Sequence, residues 1–552
     1  MPRQEVVQRA LVTALLACVI VFGIALRLQD PLSTRALGAE DPYTHVVFTK
    51  EWSEQGYFAD SFHLGTDMYP PGMHAWLAGF VPFTGIPLHE FARIAPAFFG
   101  GLAVLGMFVL GQRLGGPAAG LAAAFLTAIM PEHIFRSELL FPTSFDLALL
   151  PLWLVAFHVA CHAGERAHRV AGAALFLGMS VPLAVMHPWA VPLFAVPLAA
   201  YALLRVMRGQ AERASLRWAA GMLVPAVAFA LAFRWRASDT GFADFFAKLP
   251  GLSWTLGVHL PGPVLFVVLL AVLGAVAFVL VVALERAPAL PRLAGIALGV
   301  ALLACVPILV RAPPPSVNYP DMLGWVAIGL ALAGYAVALV RPSAVGDMGI
   351  AVSAWLLPLT ALNVFHSEFW PQRTVAYLTI GVALLAAALA REAAALPQRF
   401  ARSQGSRATM GTVALLALAL VFAGSAVAQP PHAYKWYRLY HEPEYEGFEE
   451  IAKILDQDPT SRVFVYTWQP ALMVKTLSDP EHVWYGPKFF NSAGERATYL
   501  TKIEGHAYVL VDKHTRDAQA AGKADLGFLQ DGRYHLVYQS EGGGVKLFEV
   551  DK

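Results

Sequence analysis

Charged side chains are scarce in this sequence. Asp, Glu, Lys and Arg make up 14% of its 552 residues, where a soluble globular chain carries about 25%. That shortage excludes an ordinary soluble enzyme and a disordered chain. An excess of either sign is also lacking: Lys and Arg number 40 against 39 Asp and Glu, a net charge of +1. No electrostatic footprint for a polyanion exists, so no nucleic-acid partner is expected. Cysteine is nearly absent. The 3 present, Cys18, Cys161 and Cys305, all lie in or beside apolar runs. They support neither a disulfide framework nor a Cys-based metal site. No internal repeat at a fixed period is apparent, and low complexity is confined to Ala/Leu runs and the Pro313-Pro314-Pro315 turn.

What the chain has instead is apolar sequence. Apolar residues make up 57% of it and the mean hydropathy is +0.53. A bilayer core needs about 20 apolar residues per helical crossing, and windows of that width give about 13 candidate spans. They centre near Ala17, Val104, Ala123, Pro151, Met179, Leu198 and Val224, then Val272, Ala301, Leu330, Leu357, Ala383 and Leu418. The fold class expected is therefore an α-helical polytopic membrane protein. The first run is read as an uncleaved span, because Ala36-Leu37-Gly38 lies too far beyond the apolar core to be a signal cleavage site.

Orientation follows from Arg in the short loops. With Arg3 and Arg9 on the cytoplasmic side, alternate loops carry Arg113, Arg166 and Arg169, then Arg205, Arg208, Arg213 and Arg217, then Arg286, Arg292, Arg341 and Arg391. The opposite loops are richer in Asp, Glu, His and aromatics. An odd number of spans places the C-terminus outside the cytoplasm. Two domains follow: 1–429, the transmembrane part with external loops at about 28–91 and 131–146, and 430–552, an extracytoplasmic α/β domain. In that tail Gly447 to Leu455 reads as an amphipathic helix, Arg462 to Trp468 and Ala507 to Asp512 as strands, and His535 to Val550 as a Gly-turned hairpin.

Ionisable residues at a membrane boundary are the natural place to look for function. The first external loop opens Glu40-Asp41-Pro42-Tyr43-Thr44-His45. Two adjacent carboxylates at the exit of a span can act as a general base, as metal ligands, or as both. The plainer reading is a helix start, since Asp followed by Pro caps well. The two roles are compatible. Later in that loop His63, Asp67, Tyr69 and His74 surround a Tyr-Pro-Pro-Gly turn, either as a polar cleft or as solvated side chains. The second loop holds Arg136 and Glu138 and ends at Asp146, which begins an apolar run. An unpaired carboxylate there is expensive, so Asp146 needs a metal, a hydrogen-bond partner or a cation, with Arg136 the nearest. His187 breaks the fifth span from the sixth. His366 and Glu368 precede Arg373 at the head of a later span. An Arg there suits a phosphate oxygen, although membrane-anchoring arginines are common.

These features resemble the GT-C glycosyltransferases. Asp41-Pro42-Tyr43-Thr44-His45 is similar to the opening of the first loop in archaeal oligosaccharyltransferase catalytic subunits. Pro131 to Asp146, with Arg136-Ser137, is similar to their second-loop acidic motif. The resemblance implies a membrane glycosyltransferase using a polyprenyl-phosphate or polyprenyl-diphosphate sugar donor, and a protein, glycan or lipid acceptor at the extracytoplasmic face of the cell membrane. It implies that Asp41 and Glu40 are catalytic. A divalent cation, Mg or Mn, would sit on Asp41 and Asp146, with Glu138 an alternative ligand. Arg373 and Arg136 would contact the donor phosphate, with His366, Glu368, His63, Tyr69 and His187 nearby. The tail departs from the family, because Tyr466-Thr467-Trp468-Gln469-Pro470 stands where the family's Trp-Trp-Asp-Tyr-Gly motif reads a sequon. The short Arg311 to Asp321 loop departs as well, so transfer to an Asn sequon is not expected. The competing class is a transporter or flippase for a lipid-linked sugar, against which the acids stand at loops rather than at mid-span.

Overall fold

The computed structural model describes residues 3–55, 72–187, 189–237, 252–253, 259–260, 319–361, 370–400 and 439–551. Its first part is helical throughout: α1 (Arg3–Ser33), α2 (Glu40–Gln55), α3 (Gly72–Thr84), α4 (Leu88–Gly115), α5 (Pro117–Ile129), α6 (Pro131–Glu138) and α7 (Pro142–His162). There follow α8 (Arg166–Met186), α9 (Ala190–Met207), α10 (Ala214–Ala237), α11 (Tyr319–Leu323), α12 (Trp325–Val340), α13 (Ala344–Ala361) and α14 (Trp370–Phe400). Seven helices (α1, α4, α7, α8, α9, α10 and α14) are long and apolar enough to cross a membrane. Two bent pairs, α5–α6 at 66° and α12–α13 at 119°, raise the number to as many as 9. The chain is a multi-pass membrane protein. The expected span centres Val272, Ala301 and Leu418 lie outside the described residues.

Ala and Gly surfaces let these helices approach closely. A Cβ on Gly111 of α4 would meet the backbone of Ala119 and Gly120 in α5 at 2.7–3.0 Å. One large apolar core then joins α4, α5, α7, α9, α13 and α14 around the fully buried Trp153, whose Nε1 donates to Ser180 Oγ at 2.9 Å.

The α5–α6 break has a chemical cause. Pro131 has no N–H, so the Thr127 carbonyl loses its helical donor. Arg27 of α1, wholly buried, supplies the replacement: Nη2 donates to Thr127 O at 3.0 Å and Nη1 to Ala128 O at 3.1 Å. Its Nε donates to Ser137 Oγ at 2.6 Å, which ties down α6 as well. Gly100 makes room for this arginine, because a Cβ there would overlap Arg27 Nε and Cδ. A broken helix and a buried cation are thus one device, and it sets the direction of α6.

The tail contains α15 (Glu442–Leu455), β1 (Arg462–Val465), α16 (Trp468–Leu477), β2 (Val483–Tyr485), α17 (Pro487–Asn491), α18 (Ala493–Leu500), β3 (Ala507–Val511), α19 (Lys513–Ala520), β4 (Tyr534–Gln539) and β5 (Lys546–Val550). The strands form one five-stranded sheet ordered β2-β1-β3-β5-β4. β1 pairs parallel with β2 and β3, while β5 pairs antiparallel with β3 and β4. The β4–β5 turn uses Gly542 and Gly543 at φ 73° and 68°, conformations that a side chain would resist. The strand expected to reach Trp468 stops at Val465. Pro470 cannot donate to a ladder but fits the first turn of a helix, so α16 begins at Trp468. The tail packs on the first loop: Tyr43, Val46 and Val47 of α2 share a core with Tyr440, Tyr445 and Phe448. The expected boundary at Gln429 lies outside the described residues.

Candidate active site

Glu40 and Asp41 occupy the first turn of α2, where unpaired N–H groups and the helix dipole favour anions. Capping and chemistry are compatible at this position. Asp41 is exposed and Glu40 half-buried. Burial, and then the neighbouring Asp41 charge, push the Glu40 carboxyl up to about 7. His45, one turn on, is buried among the loop's own side chains, its Nδ1 3.0 Å from His74 Nε2.

The second loop meets the first through a small apolar cluster of Ala39, Phe135, Leu139 and Phe141. Leu140 and Phe145 join Tyr43 and Val46 in the larger core beside it. Ala39, next to Glu40, is thereby packed against the joint between α6 and α7, and Phe145, next to Asp146, shares a core with α2. Arg136 lies 5.3 Å from the centroids of both Phe135 and Phe141. Its Nε donates to Glu132 Oε1 at 2.8 Å, one turn back on α6, and both residues are buried.

Asp146 therefore does not take Arg136 as its partner. It is wholly buried in the first turns of α7 and meets two residues from distant helices. Tyr377 of α14 donates its hydroxyl to Oδ2 at 2.6 Å, and His187 Nδ1, at the end of α8, lies 2.9 Å from the same oxygen. The Tyr377 hydroxyl and His187 Nδ1 are themselves 2.9 Å apart. With Nδ1–H directed at the carboxylate, His187 Nε2 carries the lone pair. Asp146 Oδ1 is buried with no hydrogen-bond partner among the described residues. A buried carboxylate here is held by a phenol and an imidazole rather than by a permanent cation.

Arg373 lies in the first turn of α14, one turn before Tyr377; its side chain is outside the described residues. His63, Asp67, Tyr69, His366 and Glu368 also lie outside them. Glu138 ends α6 and is half-buried. Among the described residues no three His, Cys, Asp or Glu side chains converge as a metal site. Asp41 and Asp146, the ligands expected for a divalent cation, are joined by no third such ligand among the described residues, and His63 and Asp67 of the same loop lie outside them. Tyr377, Glu132 and Arg27 were not singled out from the sequence. Arg27 carried a signal nonetheless, a cation within an apolar run. Tyr377 carried only its place one turn after Arg373.

No protein-family model and no curated protein matches the sequence. Solved structures do. The Archaeoglobus fulgidus oligosaccharyltransferase in complex with Zn and sulfate is 16% identical, with a TM-score of 0.53 over 96% of this chain and 72% of that one. The mycobacterial arabinofuranosyltransferase AftD is 13% identical, with a TM-score of 0.50 over 97% of this chain and 40% of that one. ArnT from Cupriavidus metallidurans bound to undecaprenyl phosphate is 14% identical, with a TM-score of 0.43 over 98% of both chains, a likeness too low to argue from. At these identities the likeness establishes the architecture, a bundle of membrane helices bearing a small C-terminal sheet.

Proposed function

We propose that this chain, which has the GT-C membrane glycosyltransferase fold, moves a sugar or glycan from a polyprenyl-phosphate or polyprenyl-diphosphate carrier to an acceptor. The observation that carries this reading is the packing of the Glu40–Asp41 pair, through Ala39, against the joint between α6 and α7. That joint presents Arg136 on one side and begins the helix of Asp146 on the other. The proposed location is the cell membrane, with the N-terminus in the cytoplasm and both the acidic pair and residues 430–552 on the outer side.

The chemistry needs little from the protein. The donor's anomeric carbon is electrophilic and the carrier phosphate is a good leaving group. An acceptor hydroxyl or amide attacks that carbon, a C–O or C–N bond forms, and the bond to the phosphate oxygen breaks. The acceptor proton passes to a carboxylate, and the departing phosphate keeps the electron pair. Glu40 is suited to receive the proton, since a base works best when its pKa lies near the working pH. Asp41 orients the acceptor beside it. Arg373, with Arg136, offsets charge growing on the phosphate. Asp146, His187 and Tyr377 tie the first turns of α7 and α14 to the end of α8. No step here is routed through a cation; a divalent ion, if bound, would be held by Asp41 and Asp146, and the zinc of the archaeal oligosaccharyltransferase structure makes chelation a necessary control.

The test is transfer in proteoliposomes supplied with extracted native lipid-linked sugars. Wild type should release free polyprenyl phosphate and label an acceptor, and Asp41→Asn should do neither above background while still folding. Absence of release by wild type from every donor pool would overturn the reading. Equal movement of labelled lipid across the bilayer by both proteins would instead favour a flippase. EDTA should leave the wild-type rate unchanged if the carboxylates act alone.

A further inference from the structure

A groove of about 420 Å3 opens between α2, α3 and the tail, within the range of about 300–1,000 Å3 usual for small-molecule sites. None of the groups discussed above lines it. Its two walls differ in chemistry. Leu77 and Val81 of α3 and Leu88, which opens the span α4, make an apolar wall. Thr49 and Ser53 of α2 face them with Asp456 and Asp479 of the tail.

The polar wall is rich in acceptors. Asp456 takes the Ser478 hydroxyl on Oδ1, and Asp479 takes the Glu481 N–H on Oδ1 at 2.8 Å. Neither Oδ2 has a hydrogen-bond partner among the described residues. Lys50 also lines the groove and keeps its charge, its Nζ donating to the neutral Lys475 and Ser478 carbonyls, each at 3.0 Å. Two carboxylates against one ammonium leave the wall net negative, which disfavours a phosphate, whereas hydroxyl groups find acceptors. Between Val81 and Leu88, both in the apolar wall, Phe83 and Ile86 are exposed, Phe83 at 89%, just ahead of a membrane span, and Phe80 beside Val81 is exposed too. A lipid tail suits that exposed apolar stretch.

We infer that this groove binds the acceptor, and that the acceptor is a neutral glycolipid, its hydroxylated head on Asp456 and Asp479 and its chain against Leu77, Val81 and Leu88. The inference rests on the glycosyltransferase reading above. Asp41 lies on the same helix, eight residues before Thr49 and so about 12 Å away along the axis, within reach of the far end of an oligosaccharide head. Charge thus separates the two substrates: a phosphate-bearing donor is kept out of the acceptor groove.

The experiment measures binding, so that it succeeds or fails independently of turnover. Full-length protein in phosphatidylcholine nanodiscs is titrated with methyl β-maltoside by saturation-transfer NMR, with methyl phosphate and methylammonium as controls. Saturable binding of the maltoside with Kd on the order of 1 mM is expected, and neither control should compete. Ser53→Trp, at an exposed rim position, and Ala78→Trp, on the groove floor, should each weaken binding tenfold or more at unchanged melting temperature. Absence of saturable binding, equal binding by Ser53→Trp and wild type, or competition by either control would overturn the inference. Loss of transfer with binding intact would count against the catalytic reading alone.

Discussion

The two ends of the helical bundle both bury a carboxylate, and they do so in opposite ways. At the end away from the acidic loop, Asp347 opens α13 with no exposure and lies between two arginines of α9, Arg208 and, at 3.5 Å, Arg205. Glu392 of α14 is similarly bracketed by Arg341 at 2.9 Å and Arg391 at 2.8 Å. At the loop end, Asp146 is equally buried but, among the described residues, meets Tyr377 and His187 and no arginine; like Oδ2 of Asp347, its Oδ1 has no hydrogen-bond partner there. A buried charge needs compensation. Permanent cations complete it at one end and make a structural lock. The other end has a phenol and an imidazole in their place, and no permanent cation among the described residues.

The largest effect should come from breaking the lock. Asp347→Asn leaves two arginines facing each other without their anion and should lower stability by about 3–5 kcal/mol, read by thermal unfolding in detergent, with transfer per folded molecule unchanged. Asp41→Asn and Glu40→Gln should show the reverse pattern. Each should lower transfer about a hundredfold, near 3 kcal/mol of barrier, while the melting temperature holds. If Asp347→Asn lost turnover as severely as Glu40→Gln, the contrast between the ends would collapse. Gly100→Ala should have a smaller effect than either. Its methyl would displace the buried Arg27 that replaces the donor missing at Pro131, lowering stability by about 1–3 kcal/mol.

The smallest effect concerns pH. The Glu40 carboxyl titrates near 7, above the ordinary value of 4.5, so its acid form prevails below pH 7 and its base form above. The transfer rate should therefore rise about tenfold between pH 6 and 8 and then level off, equivalent to about 1.4 kcal/mol. Glu40→Gln should abolish the inflection along with most of the rate; an inflection surviving in that variant would assign it to another group. A raised folded-state value also means that this residue's contribution to stability is fully present below the ordinary carboxyl range and is lost as pH rises through 7.

Much of this architecture was legible beforehand, though unevenly. The helices α1, α4, α7 and α14 lie where apolar runs centred on Ala17, Val104, Pro151 and Ala383 placed them. Glu40 and Asp41 stood out as two acids at a span exit where Asp-Pro also suits a helix start, and a helix does begin there. Asp146 was likewise recognisable as needing a partner, but its partner was not. Arg136, the nearest cation in sequence, is turned to Glu132, and the groups that hold Asp146 lie 41 and 231 residues further along the chain. The domain boundary near Gln429 and the roles of His63, Tyr69, His366 and Glu368 fall outside the described residues.

By itself the sequence determined that this protein enters a membrane, roughly where it crosses, and which loops carry its acids. Transfer of a segment into lipid is close to a sum over its own residues, so composition suffices. Only the tertiary structure decided which carboxylates are neutralised, that Arg27 mends the break at Pro131, and that Glu40 titrates near 7. Those outcomes depend on burial and on contacts between helices far apart in the chain, and neither is encoded in any local stretch of residues.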